Sequence, residues 1–317
     1  MRLGRQARTL RLPAGRSGRA LAVALALALA AAFGPGRAAA GDQLLESVES
    51  VYNSIFVYKR GDLIAMTFGH NRRLFVESVY DPGNELALPV RYTRYMTLGM
   101  LYPPRLDRLL FIGLGGGRTS WYMHKSLPAL DVTVVELDPE VVRLAEKWFA
   151  IREEPHYRIE TADGRVYVQR HRDTADLIMV DAYRGPFVPF HLLTREFYAL
   201  LKSRLNPGGA VVQNIEPTTM LFDAAAATMS SVFDNVDYYD ALGNVVAIGY
   251  DGPKRSVESL RATAEALKRD HSLFYDPVPL LEDRRDVRLG PNARPLTDDF
   301  APVEYLHAIE RHNEKAP

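Results

Sequence analysis

Leu109–Lys125 reads LLFIGLGGGRTSWYMHK: an apolar run suited to a buried strand, then Gly113, Gly115, Gly116 and Gly117, then a helix-like segment that opens at Arg118. Glycines between a strand and a helix permit a tight turn and let a ligand approach the backbone, while the helix N-terminus offers free N–H groups. About twenty residues further on, where a ribose-binding acid belongs, Glu136 closes the next apolar run in VVELD. The dinucleotide fingerprint asks for a glycine where this chain has Arg118, so G-L-G-G-G fits the turn of S-adenosyl-ligand proteins better.

Outward from this turn, strand-like and helix-like segments alternate: RLLFIGL, the helix after Gly117, DVTVVEL, PEVVRLAEKWFA, YRIETA, DGRVYVQRH, ADLIMVDAY, TREFYALLKSRL and GAVVQNI. Such alternation predicts parallel strands joined by right-handed helical crossovers, a doubly wound sheet covered on both faces. FDNVDYYDALGNVVAIGYD predicts an antiparallel hairpin at the sheet edge, turning at Ala241–Asn244. Upstream, residues 54–78 are short β-prone runs broken at Arg60-Gly61-Asp62 and Gly69-His70-Asn71, which predict a small antiparallel meander. A helix is expected over VRYTRYMTLGMLYPP, stopped by Pro103-Pro104, and another over SVESLRATAEALKRD. The expected organisation is therefore a β-rich segment with a linking helix over 41–104, the α/β domain over 105–252, and a helix with a Pro-rich tail over 253–317.

The 317 residues are 47% hydrophobic, enough for a substantial core, and 39 basic residues balance 39 acidic ones. No basic field argues for nucleic acid. With no cysteine in the chain, disulfides, thiolate nucleophiles and cysteine metal sites are excluded. The histidines are scattered without ligand spacing and no G-x-S-x-G elbow occurs, so neither a metal site nor a serine hydrolase is expected.

Residues 1–20 carry six arginines and no acid, Leu21–Phe33 is apolar, and Ala38 and Ala40 are small. This is the layout of a secretory signal over 1–40, with an apolar core shorter than the ~20 residues of a spanning helix. Cleavage is expected after Ala40, leaving an exported protein. Membrane association through an uncleaved signal, and homodimerisation, stay open.

IGLGGGRTS, VVELDPEVVRLAEKWF, TADGRVYV, DLIMVDAY, LLTREFYALLKSRLNPGG and LTDDFAPVEYL occur in order, and from about Ser54 to Leu306 the chain resembles the spermidine synthase (polyamine aminopropyltransferase) family, closest to its divergent bacterial members. The resemblance implies a class I S-adenosylmethionine-dependent methyltransferase-like Rossmann fold. It also implies aminopropyl transfer from decarboxylated S-adenosylmethionine to a polyamine amine, with the donor as cosubstrate and no bound cofactor. By the same resemblance, Gly113, Gly115, Gly116, Gly117 and residue 118 would line the donor site. Glu136 would hold the ribose, Asp163-Gly164 would meet the adenine, and Asp181 would close the site. Tyr92 and Tyr183 are the accompanying catalytic candidates.

The chain departs from the family where the family has acids. Arg118 replaces the acid of G-G-G-D-G; Arg184, in DAYRGP, stands nearest the second acid of D-S-S-D-P; and Arg94, in YTR, falls at the acid of a Tyr-His-Glu element. Arginine repels ammonium and suits carboxylate. Three readings follow: a polyamine aminopropyltransferase, a methyltransferase in which Arg118 pairs with the methionine carboxylate, and an exported nucleoside-binding protein without chemistry.

Overall fold

The computed structural model describes residues 41–70, 73–184, 188–219, 221–291 and 293–299. The signal segment expected over 1–40, and the end of the tail expected over 253–317, lie outside these residues.

Four antiparallel strands, β1 (Gln43–Glu49), β2 (Ser54–Arg60), β3 (Leu63–His70) and β4 (Arg73–Tyr80), form one sheet in sequence order. The meander is the expected one, extended by β1, whose mixed QLLESVE sequence shows no clear alternation. Gly61 makes the two-residue turn between β2 and β3 at φ +62°, a conformation that glycine adopts without a Cβ penalty. The following helix α1 (Arg91–Met96) tightens into a 3-10 turn over Thr97–Leu101, and within it a Cβ at Gly99 would stand 2.5 Å from Val212 Cγ2, so the backbone there lies directly on the large sheet.

That sheet contains β5 (Arg108–Ile112), β6 (Asp131–Glu136), β7 (Tyr157–Thr161), β8 (Ala175–Val180), β9 (Leu205–Ile215), β10 (Asn235–Asp240), β11 (Val245–Tyr250) and β12 (Arg284–Arg285), in the order β12-β10-β11-β9-β8-β5-β6-β7. The strands from β9 to β7 are parallel, as the alternation predicts. The predicted hairpin β10–β11 adds antiparallel to β9, and β12 lies outside it, so the hairpin is not itself the edge. Helices α2 (Arg118–Ser126), α3 (Pro139–Trp148), α4 (Gly164–Arg170), α5 (Arg195–Lys202), α6 (Phe222–Ser230) and α7 (Val257–Asp270) complete the described part. Side-chain caps start three of the crossovers: Asp138 at α3, Asp163 at α4 and Thr194 at α5.

Both faces of the sheet are buried. On β8, Leu177 and Met179 enter one core and Ile178 and Val180 the other, which is the period-two alternation of a strand between two layers. The first core also takes in Ile55, Val57, Met66 and Phe68 of the N-terminal sheet, so burial of these apolar faces holds that sheet against α2 and α3.

Candidate active site

The chain runs β5, β6, β7 in one direction and then returns to place β8 on the other side of β5. Reversal of strand order opens a crevice at the carboxyl ends of β5 and β8, where ligands bind in open α/β sheets. Here it is a cavity of about 600 Å³, bounded by the glycine turn, the ends of β6 and β8, the start of α4 and residues of the N-terminal sheet. Gly113 (φ +93°) passes so close to β8 that a Cβ would sit 2.4 Å from the Asp181 carbonyl oxygen. Gly115 and Gly117 also have positive φ, and Gly116 N–H donates to Ser78 Oγ of β4 at 2.8 Å, pinning the turn to the N-terminal sheet. Of the four, Gly113 and Gly115 line the cavity.

Glu136 lines the cavity from the end of β6. Its Oε2 accepts from Leu114 N–H at 2.7 Å and its Oε1 from Asp138 N–H at 2.9 Å. Burial raises its carboxyl above the ordinary range against the pull of those N–H groups. Each oxygen keeps lone-pair capacity for a further donor such as a ribose hydroxyl. Asp163 caps α4 through Val166 N–H at 2.9 Å and meets His191 Nε2 at 3.2 Å, a contact that lowers its carboxyl. Gly164 is required beside it, since a Cβ would fall 2.4 Å from Ile112 Cγ2.

Asp181, at the end of β8, is the centre of a side-chain chain of hydrogen bonds. Tyr92 Oη donates to its Oδ2 at 3.0 Å and Asn214 Nδ2 to its Oδ1 at 3.0 Å, while Asn244 Nδ2 orients Asn214 through its Oδ1 at 3.0 Å. Burial pushes the Asp181 carboxyl up to about 6, although both donors pull it down. Tyr92 and Tyr183 are half-buried beside this acid, and desolvation together with its charge holds their protons well above the usual range, so Tyr92 remains a donor. Tyr183 Oη donates to the Asn214 carbonyl at 3.1 Å. Tyr92, distant in sequence, thus meets Asp181 and Tyr183 on one wall of the cavity.

The expectation that Arg118 faces the ligand is corrected by its contacts. The side chain is 4% exposed and is absent from the lining of the main cavity. Its Nη1 donates to the Phe149 carbonyl at 2.7 Å, its Nη2 donates to the Glu85 carbonyl, and the guanidinium lies over Tyr80, 4.6 Å from the ring centroid. A planar multi-donor cation ties the turn to two distant carbonyls and an aromatic face, which a single carboxylate at this position would not do. Arg94 is likewise turned away: its Nε donates to the Leu88 carbonyl at 2.8 Å and its guanidinium packs on Tyr275. Of the three arginines only Arg184 lines the cavity, and it is exposed.

One acid in the cavity carries no motif. Glu77 of β4 lines it together with Tyr92 and Asp181, and burial together with the neighbouring Asp181 charge raises its carboxyl well above the ordinary range. The sequence LFVESVY offers no spacing that separates Glu77 from an ordinary strand acid. Asn214, in an apolar strand, and Asn244, in the hairpin turn, are equally unmarked as site residues.

The family model of the spermine/spermidine synthase domain matches residues 91–242. The polyamine aminopropyltransferase of Vibrio vulnificus (strain CMCP6) is 30% identical over 276 residues, 83% of this chain and 91% of the relative. Among solved structures, a probable spermidine synthase from Corynebacterium glutamicum ATCC 13032 superposes with a TM-score of 0.60 at 25% identity, over 71% of this chain and 86% of its own. A spermidine synthase in complex with the transition state analogue AdoDATO superposes with a TM-score of 0.56 over 86% and 89%; at 17% identity that likeness is one of fold. Together with the crevice at the β5–β8 switch point, the alignment over almost the whole length of the Vibrio enzyme places this chain: it belongs to the spermine/spermidine synthase family.

Proposed function

We propose that this protein transfers an aminopropyl group from decarboxylated S-adenosylmethionine to an amine of a polyamine. The observation that carries the reading is the charge of the cavity. Its described lining holds Glu77, Glu136, Asp138, Asp163 and Asp181 against one guanidinium, the exposed Arg184. Such a cavity attracts cations, and both proposed substrates are cations: the donor carries a sulfonium and an ammonium, the acceptor its ammonium groups. The methyltransferase alternative drew on an Arg118–carboxylate pair, and that guanidinium is engaged by backbone carbonyls instead.

In the proposed reaction the lone pair of a neutral amine attacks the carbon next to the sulfonium. A C–N bond forms as the C–S bond breaks, and the electron pair stays on sulfur to give neutral methylthioadenosine. In this reading Glu136 holds the ribose, and Asp181, oriented by hydrogen bonds from Tyr92 and Asn214, stabilises the reacting cation. That the Vibrio relative is a polyamine aminopropyltransferase supports the same reading.

The test is to incubate residues 41–317 with decarboxylated S-adenosylmethionine and putrescine and to follow products by mass spectrometry. Methylthioadenosine and a triamine are expected in equal amounts. Absence of both, with the protein folded, rejects the reading. Export belongs to the proposal as well, motivated by the arginine-rich, apolar and small-residue order of 1–40. Intact mass of the protein from cells should begin near Gly41; a full-length cytosolic product rejects export.

A further inference from the structure

We propose that Glu77 is the residue that receives the proton of the attacking amine, supplying from the N-terminal sheet a carboxylate where the segment after β8 carries Arg184. The assignment rests on the aminopropyl-transfer reading. Its ground is the state of each carboxylate in the cavity. Glu136 is held at both oxygens by the N–H groups of Leu114 and Asp138. Asp138 accepts from Glu140 N–H at one oxygen and from Ser50 and Asn53 at the other. Asp163 is taken up by Val166 N–H and His191, and Asp181 by Tyr92 and Asn214. Glu77 Oε1 is buried and has no hydrogen-bond partner among the described residues.

A buried carboxylate oxygen without a donor is costly, and it becomes favourable only when a proton or a cation arrives. The side chain shares the cavity wall with Asp181 and Tyr92, so a donor arriving there lies at the end where the family's transfer chemistry would occur. The groups facing it are Asp181, Tyr92 and Tyr183, with Arg118 on the wall of a small adjoining void. Burial and the Asp181 charge favour the protonated form of Glu77, whereas an arriving ammonium favours its carboxylate, so binding of a cation there drives proton release to solvent. During transfer one proton passes from the amine nitrogen to Glu77 Oε1, the C–N bond forms, and the C–S electron pair remains on sulfur; no other reactant is consumed.

The experiment compares the wild-type chain with Glu77→Gln and Glu77→Asp. Glu77→Gln should keep its melting temperature and bind methylthioadenosine within threefold of wild type, while kcat falls about a hundredfold, the scale of a lost general base. Glu77→Asp should recover at least tenfold over Gln. Calorimetry of putrescine binding to the methylthioadenosine complex, in buffers of different ionisation heat, should show proton release in the wild type and none in Glu77→Gln. A kcat within threefold of wild type in Glu77→Gln overturns the assignment and leaves aminopropyl transfer standing. An equal loss of methylthioadenosine affinity overturns it in favour of a structural role. A wild-type chain that transfers nothing to putrescine overturns both.

Discussion

At the Glu136 end of the cavity the carboxylate is held by two backbone N–H groups, whereas at the Asp181 end the donors are the side chains of Tyr92 and Asn214, and Glu77 Oε1 meets no described donor. Backbone donors are set by the turn and strand that carry them, so the first end is as rigid as the fold. Side-chain donors can be exchanged without disturbing the fold, so charge and reactivity are tuned at the second end. Burial raises the carboxyls at both ends, that of Glu136 as well as those of Asp181 and Glu77, while that of Asp163, in contact with His191, is lowered. Raised acids gathered in a cleft are the pattern expected of functional carboxylates.

The contrast breaks most readily at Asp181. Asp181→Asn should lower the transfer rate by roughly 10²–10⁴, the range for a positioned acid–base or charge-stabilising group. Methylthioadenosine affinity should stay within about threefold, since no backbone donor is disturbed. A comparable loss at both would mean that the two ends are one unit.

Arg118→Met comes next in size. It strips two carbonyls of a charged donor in a buried place and should cost roughly 2–5 kcal/mol of stability, read from urea unfolding. The preference between S-adenosylmethionine and its decarboxylated form should not move, because the guanidinium faces carbonyls outside the main cavity. A changed preference would return Arg118 to the ligand.

Titration sharpens the comparison. The Asp181 carboxyl is raised from 3.8 to about 6, so in that window the folded protein keeps a proton that the unfolded chain has released. Its stabilising contribution is complete below about pH 4 and is lost as pH rises through about 6, at most about 3 kcal/mol in all. Asp181→Asn should therefore gain stability over wild type above pH 6 and gain none below pH 4. The transfer rate should move oppositely, falling about tenfold per unit below pH 6 as the carboxylate is protonated. Unfolding midpoints at pH 4 and 8 that shift equally in the variant would contradict this.

Smaller effects belong to the rigid end. Glu136→Ala removes the acceptor of Leu114 and Asp138 N–H and should weaken methylthioadenosine binding at least tenfold by calorimetry, from contacts of about 1.5–3 kcal/mol each at most. Ser50→Ala, on the β1–β2 turn, removes one of the donors to Asp138 and should cost about 1 kcal/mol or less in the same titration.

The glycine turn, Glu136, Asp163 and Asp181 were all legible in the chain, because each is specified by its immediate neighbours: a turn after an apolar strand, an acid at a strand end, a cap before a helix. The parallel direction of β5 to β9 followed from the same alternation, while their order in the sheet did not. The direction of Arg118 was not legible, although its position was, since a residue in a first helical turn goes where its partners are, and Phe149, Glu85 and Tyr80 lie far from it in sequence. Glu77 had no local mark at all. Its place in the cavity arises from packing the N-terminal sheet against the glycine turn, through the contact of Ser78 with Gly116 and the shared core of Phe68 and Trp121. Short-range patterns encode turns, caps and strand ends because those depend on neighbouring φ/ψ and backbone donors; which side chains converge depends on long-range burial, and only the assembled layers bring Glu77, Tyr92 and Asp181 to one wall.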